Sequence, residues 1–129
     1  MSIEGARVRA LRGATTVDRD DGPAIVDATV ELLGRMLEAN GATPEDLISI
    51  VFTATDDLRG EFPAVAARKL GLAHVPLLCA RELEVDGALP RCVRVLMHLY
   101  TDRDYASLRH VYLGDARSLR TDLTDGTQG

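Results

Sequence analysis

The 129-residue chain has no tryptophan, and aromatic residues make up only 4% of it. Since 46% of the residues are hydrophobic, the interior must be built from aliphatic side chains, enough for one domain but not for two. No stretch approaches the ~20 apolar residues of a membrane-spanning helix. Residues 1–13 are polar and contain arginine, without the apolar segment of a signal peptide. We therefore expect a single cytoplasmic domain with no membrane partner.

Cysteine is scarce as well. Cys79 and Cys92 have no Cys-x-x-Cys spacing and no histidine cluster beside them, so neither a disulfide framework nor a zinc site is expected. The sequence also lacks a glycine loop for phosphates, a Gly-x-Ser-x-Gly motif and a dinucleotide fingerprint. We expect no metal and no cofactor.

Lysine is nearly missing too, because Lys69 is the only lysine among 15 basic residues and the others are arginines. The formal net charge of -5 argues against a general affinity for nucleic acid or for an anionic membrane. The arginine excess can reflect the base composition of a genome. Arginine is also the side chain best suited to bidentate binding of carboxylates, so both interpretations stay open on composition alone.

The spacing of apolar residues predicts seven elements in the order β-α-β-α-β-β-β, which is typical of a mixed α/β or α+β domain. The predicted strands are residues 8–14, 47–53, 74–79, 92–100 and 110–113, and the helices are residues 23–39 and 64–70. The run 47–53 is apolar and β-branched, which predicts a strand buried on both faces. Residues 122–129 are predicted to be a flexible tail.

Arg94 most needs an explanation, because it stands in the middle of an apolar strand. A buried, unpaired charge costs several kcal/mol, so Arg94 either faces solvent with His98 and Tyr100 or lines a site where an anion pairs with it. Periodicity alone favours solvent. Arg12 poses the same choice, since it directly precedes Gly13, where a backbone can approach a ligand closely.

The remaining candidates are individually ordinary. Glu82 is a loop carboxylate that could accept a hydrogen bond from a substrate hydroxyl, and Tyr112 could place its own hydroxyl in a pocket. Cys79 is more often a small buried side chain than a nucleophile. Arg68 and Arg120 are surface residues by default. Arginines with one carboxylate and one tyrosine suit the binding of a small polyanion better than proton-transfer or metal chemistry.

The sequence resembles the trimeric α/β chorismate mutases over nearly its whole length, from Arg9 to Leu123. The resemblance rests on Cys79, Glu82 and blocks in the family's order: residues 12–17 (RGATTV), 53–58 (TATDDL), 62–64 (FPA), 75–76 (VP), 92–95 (CVRV), 109–113 (RHVYL) and 119–120 (LR). It implies an α+β fold in residues 1–121, a small mixed sheet with two helices on one face. Three chains would pack as a pseudo-α/β barrel with their sites at subunit interfaces.

The resemblance also implies an activity, the rearrangement of chorismate to prephenate without a cofactor. Arg94 would be the cation at the ether oxygen of chorismate, and Arg12, aided by Tyr112, would hold a carboxylate. Glu82 would accept from the ring hydroxyl, and Cys79 would contact the ring side of the substrate.

Other binding residues follow from the same resemblance. Phe62, Ala64 and Leu119 would form an apolar wall, while Arg68 and Arg120 would lie at the mouth of the site. The alternative function is a non-catalytic trimeric module that binds small carboxylate metabolites in the same pocket. A small trimeric enamine-imine deaminase would need a water-activating arrangement that the sequence does not contain.

Overall fold

The computed structural model describes residues 5–119, and it contains the predicted elements in the predicted order. The strands are β1 (Arg7–Thr16), β2 (Leu47–Ala54), β3 (Leu77–Arg81), β4 (Cys92–Thr101) and β5 (Val111–Tyr112), and the helices are α1 (Gly22–Ala39) and α2 (Val65–Lys69). Short 3-10 segments cover Pro44–Asp46, Tyr105–Ser107 and Gly114–Leu119. Arg120 and the predicted tail, residues 122–129, lie outside the described residues.

The strands form one open sheet in the order β3-β2-β4-β1-β5. The long strand β4 runs antiparallel to both β1 and β2, whereas the outer strands β3 and β5 run parallel to their neighbours. The predicted small mixed sheet is therefore confirmed. Within one chain the sheet does not close into a barrel, because β3 and β5 are its two edges.

Both helices cover the same face of the sheet, as predicted. The side chain of Asp21 caps α1 by accepting from the Ala24 N–H at 2.7 Å, and a proline occupies the first turn. The apolar stripe of α1 packs on sheet residues such as Leu11, Phe52 and Met97, all fully buried. The alanines of α2 belong to the same core.

The other face of the sheet, which we call the open face, carries no helix from residues 5–119 and includes the side chains of Val51, Thr53, Arg94 and Leu96. The prediction that residues 47–53 are buried on both faces is wrong for the single chain. Ile50 and Phe52 are fully buried under the helices, whereas Val51 and Thr53 are only half-buried. Strand alternation puts these two pairs on opposite faces, and only one face is covered.

β3 begins at Leu77, three residues later than predicted, because residues 73–75 form a turn and not an extended strand. The carbonyl oxygen of Pro76 still accepts from the Ile50 N–H at 3.0 Å, so the segment joins the sheet there. Neither helix of the described part is long and apolar enough to cross a membrane.

Candidate active site

Arg94 projects from the middle of the open face. Its neighbours across the sheet are Thr53 on β2 and Ala14 on β1, so it lies on the central row of the sheet. Its side chain is 44% exposed, and its Nε lies 3.5 Å from Oε2 of Glu82. Arg94 thus faces outward, as periodicity favoured, but it does so into a pocket that contains a carboxylate.

The end of β3 positions Glu82 beside Arg94. The backbone N–H of Glu82 donates to the Ala54 carbonyl at 3.0 Å, which holds the residue against the end of β2. Its side chain is 25% exposed, and the hydroxyl of Thr53 donates to its Oε2. The same carboxylate oxygen therefore faces both the Thr53 hydroxyl and the Arg94 guanidinium.

Arg12 and Tyr112 come from β1 and β5, on the far side of β4. The backbone N–H of Arg12 donates to Nδ1 of His110 at 2.9 Å, and Tyr112 pairs with Ala14 in the parallel ladder. Among residues 5–119, no carboxylate oxygen lies within 4.0 Å of the Arg12 guanidinium. Arg12 therefore offers a cation with no counter-ion in the described part of the chain.

These side chains share an open pocket of about 550 Å³, which we call the arginine pocket. Its walls are Arg12, Gly13, Ala14, Val51, Thr53, Glu82, Arg94, Val95, Leu96, Tyr112 and Leu119. Five residues predicted from the sequence are thus brought together: Arg12, Glu82, Arg94, Tyr112 and Leu119. Two cations, one carboxylate and an apolar wall suit a small ligand that carries carboxylates and a hydroxyl group.

The other predicted residues do not reach this pocket. Cys79 pairs with Phe52 and therefore faces the helices, and Phe62 is 69% exposed on a loop. Both line a second pocket of about 570 Å³, the phenylalanine pocket, which shares no residue with the first. Ala64 is buried, Arg68 is exposed on α2, and Arg120 lies outside the described residues.

The sequence reasoning missed several residues that line these pockets. Thr53 and Leu96 line the arginine pocket, and Arg59 and Glu61 line the phenylalanine pocket. Thr53 could have been found only from the register of β2 against β4, since that register puts it opposite Arg94. A single sequence does not contain that register.

Cys92 lies two residues before Arg94 and does not act as a nucleophile in its present surroundings. Burial raises the pKa of the Cys92 thiol, and the nearby charge of Arg94 only partly offsets that effect. Among residues 5–119, no three His, Cys, Asp or Glu side chains come together as a metal site. The chemistry of the arginine pocket is therefore electrostatic.

The fold and the site together define a class, a small α+β domain with an arginine-lined pocket for a compact anion. Residues 8–123 match the model of the family chorismate mutase type I. The chain is 53% identical to the chorismate mutase AroH of Thermus thermophilus over 117 residues, which are 90% of this chain and 96% of that protein. The chain belongs to the type I chorismate mutase family.

Two further similarities extend over most of the chain. It is 43% identical to the chorismate mutase AroH of Bacillus subtilis over 118 residues, 91% of this chain and 93% of that protein. A solved structure of a chorismate mutase from Clostridium thermocellum superposes with a TM-score of 0.84 at 46% identity. That match covers 85% of this chain and 98% of the other.

Proposed function

We propose that the chain is an isomerase that converts chorismate to prephenate, a step of aromatic amino-acid biosynthesis, in the arginine pocket. The observation that carries the assignment of the site is the position of Arg94, a guanidinium at the centre of the open face with a second arginine and a carboxylate around it. Membership of the type I chorismate mutase family supports the choice of substrate.

The reaction is an intramolecular rearrangement. The C–O bond of the enolpyruvyl ether breaks while a C–C bond forms between the pyruvyl methylene and the ring, so no group is gained or lost. The protein has two tasks, to hold the compact conformer in which the two carbons approach each other and to stabilise the negative charge that develops on the ether oxygen. Neither task needs a nucleophile.

The side chains of the arginine pocket divide these tasks. Arg94 donates to the ether oxygen as the C–O bond lengthens, and the guanidinium of Arg12 binds a substrate carboxylate together with Tyr112. Glu82 accepts from the ring hydroxyl, which fixes the orientation of the ring. Leu119 supplies apolar contact at the wall of the pocket.

We further propose that three copies of the chain assemble and that each active site is completed across a subunit interface. The arginine pocket and the phenylalanine pocket share no residue, so Cys79 and Phe62 can serve the site of Arg94 only from another copy. The open face also exposes apolar side chains, with Val8 and Leu78 more than half exposed. An open sheet with this apolar face is suited to pack against further copies in a pseudo-barrel.

Arg68 would then lie at the mouth of the site on the partner's side with Phe62 and Ala64, and Arg120 on the side of the arginine pocket. A cytoplasmic location is part of the same proposal. It is supported by the unpaired state of both cysteines, Cys79 and Cys92, since a reducing compartment keeps thiols free.

Replacing Arg94 tests the assignment. We expect Arg94→Ala to lower kcat by at least about a hundred-fold, because a preorganised donor aimed at developing charge is lost. The measurement is the loss of chorismate absorbance with purified protein and no added cofactor. Arg94→Lys should recover only part of the rate, since it keeps the charge but not the planar donor geometry.

Arg35→Ala is the matched control, since it removes an exposed arginine from α1 and should leave kcat unchanged. Near-normal turnover in Arg94→Ala would exclude the mechanism. A wild-type protein that binds chorismate without consuming it would identify a carboxylate-binding module instead.

A further inference from the structure

The carboxylate of Glu82 sits in an asymmetric environment. Its Oε2 accepts from the Thr53 hydroxyl and faces Nε of Arg94 at 3.5 Å, while its Oε1 has no hydrogen-bond partner among residues 5–119. A relaxed arginine–carboxylate pair is normally closer, with N–O distances of about 2.7–2.9 Å and often two parallel contacts. The Thr53 hydroxyl thus occupies the oxygen that a closer pair with Arg94 would use.

The sheet explains why Thr53 can reach that oxygen. Thr53 lies between Arg94 on β4 and Ala80 on β3, and all three are on the open face. Glu82 follows Ala80 by two residues, so its side chain leans over a methyl group toward the Thr53 hydroxyl. The β-branched side chain of threonine is stiff at its first torsion, so it holds the hydroxyl in place.

We propose that Thr53 is a positioning residue that holds Glu82 away from Arg94, so that the guanidinium stays available to the substrate and Oε1 is presented to a substrate hydroxyl. Without the threonine hydroxyl, the carboxylate closes onto Arg94 and neutralises the charge that the ether oxygen needs. The inference rests on the proposed function, and it adds a residue that touches only Glu82 among the polar groups of the pocket.

The test compares Thr53→Val, which keeps the shape and loses the hydroxyl, with Thr53→Ser, which keeps the hydroxyl. We expect Thr53→Val to lower kcat roughly ten- to a hundred-fold, since a hydrogen bond to a charged group is lost. Thr53→Ser should stay close to the wild type. Thermal unfolding and the mass of the assembly are measured on each protein, and both should match the wild type. If the valine variant does not assemble, Thr53→Ala takes its place in the same comparison.

A double-mutant cycle with Glu82→Gln separates positioning from a general structural effect. If Thr53 acts through Glu82, Thr53→Val should cause little further loss of kcat in the Glu82→Gln background. Independent, multiplying losses would overturn the proposal, and so would an unchanged kcat in Thr53→Val or a rise in KM alone. Failure of the proposed function looks different, because the wild-type protein itself would then not consume chorismate.

Discussion

At the scale of the residue, one carboxylate fixes the start of the strand that carries Arg94. Oδ1 and Oδ2 of Asp57 lie 3.0 and 2.9 Å from the backbone nitrogen of Arg91, and the Thr55 hydroxyl also donates to Asp57. Arg91 has a φ of 46°, a left-handed conformation that is uncommon for a residue other than glycine. Asp57 therefore stabilises a strained turn three residues before the proposed catalytic arginine.

This arrangement predicts a dependence of stability on pH. Burial alone would raise the pKa of Asp57, but the hydrogen bonds from Thr55 and Arg91 outweigh it and hold that pKa below its ordinary value of 3.8. The ionised carboxylate therefore stabilises the fold above that ordinary value, and this contribution is lost as the pH falls through the lowered pKa. We expect Asp57→Asn to lower Tm near neutral pH and to differ less from the wild type in acid.

Scanning calorimetry of both proteins between neutral pH and the acid limit measures the effect. Asp27→Asn is the control, because Asp27 is exposed on α1 and makes no hydrogen bond or ion pair with residues 5–119. It should show no comparable trend. A difference between Asp57→Asn and the wild type that is constant with pH would mean that the carboxylate charge does not matter.

At the scale of the element, the loop that carries Phe62 is held against the beginning of α1. The carboxylate of Asp20 accepts from the backbone N–H groups of Arg59 and Gly60 at 2.7 and 2.8 Å. A Cβ atom on Gly60 would lie 2.8 Å from both the Asp21 carbonyl carbon and the Gly22 nitrogen. Because those atoms are backbone, no side-chain rotation can relieve the contact.

Gly60→Ala should therefore displace this loop. We expect a lower Tm, from a cost of about 1–3 kcal/mol for overpacking, and a higher KM because Phe62 moves. Gly34→Ala is the matched control, since a Cβ there meets no atom within 4 Å and alanine is favoured over glycine in a helix interior. It should keep KM and hold or raise Tm. An unchanged KM in Gly60→Ala would show that the loop does not position a substrate contact.

Elements could be predicted from the sequence where periodicity is strong. The apolar spacing of α1 and β4 predicted both closely, because each buries one continuous stripe or alternating face. The start of β3 could not be predicted, because His74 and Val75 suit a strand by composition and the turn there is set by tertiary contacts. Neighbours across the sheet, such as Thr53 and Arg94, depend on register, which a single chain's pattern does not state.

The candidate site divides in the same way. Strand alternation permitted Arg94 and Arg12 to face one side, but only the family resemblance linked them to Glu82 and Tyr112. The structure brings these four together, and their roles remain predictions. The separation of Cys79 from them follows from its register with Phe52, and no local pattern indicated it.

At the scale of the whole molecule, two pockets that share no residue predict complementation between inactive variants. Arg94→Ala damages the arginine pocket, and Phe62→Asp places a carboxylate in the phenylalanine pocket, where it repels an anionic substrate. Each variant alone should be nearly inactive. If the two are unfolded and refolded together at equal amounts, about a quarter of the interfacial sites combine two intact halves, so about a quarter of the activity should return.

Refolding each variant alone is the control, and sedimentation shows that the mixed protein has the mass of the wild type. Recovery that stays at the level of the separate variants would mean that each site is complete within one chain. In that case Cys79 and Phe62 would have no role in the site of Arg94.

The open face has one more consequence, for the way the protein works in a dilute cell. A substrate that contacts two chains links them, so its binding energy and the energy of subunit association are coupled. Chorismate then holds together the assembly that transforms it. Dilution lowers the number of complete sites as well as the number of chains, so catalysis by this protein is a collective property governed by mass action.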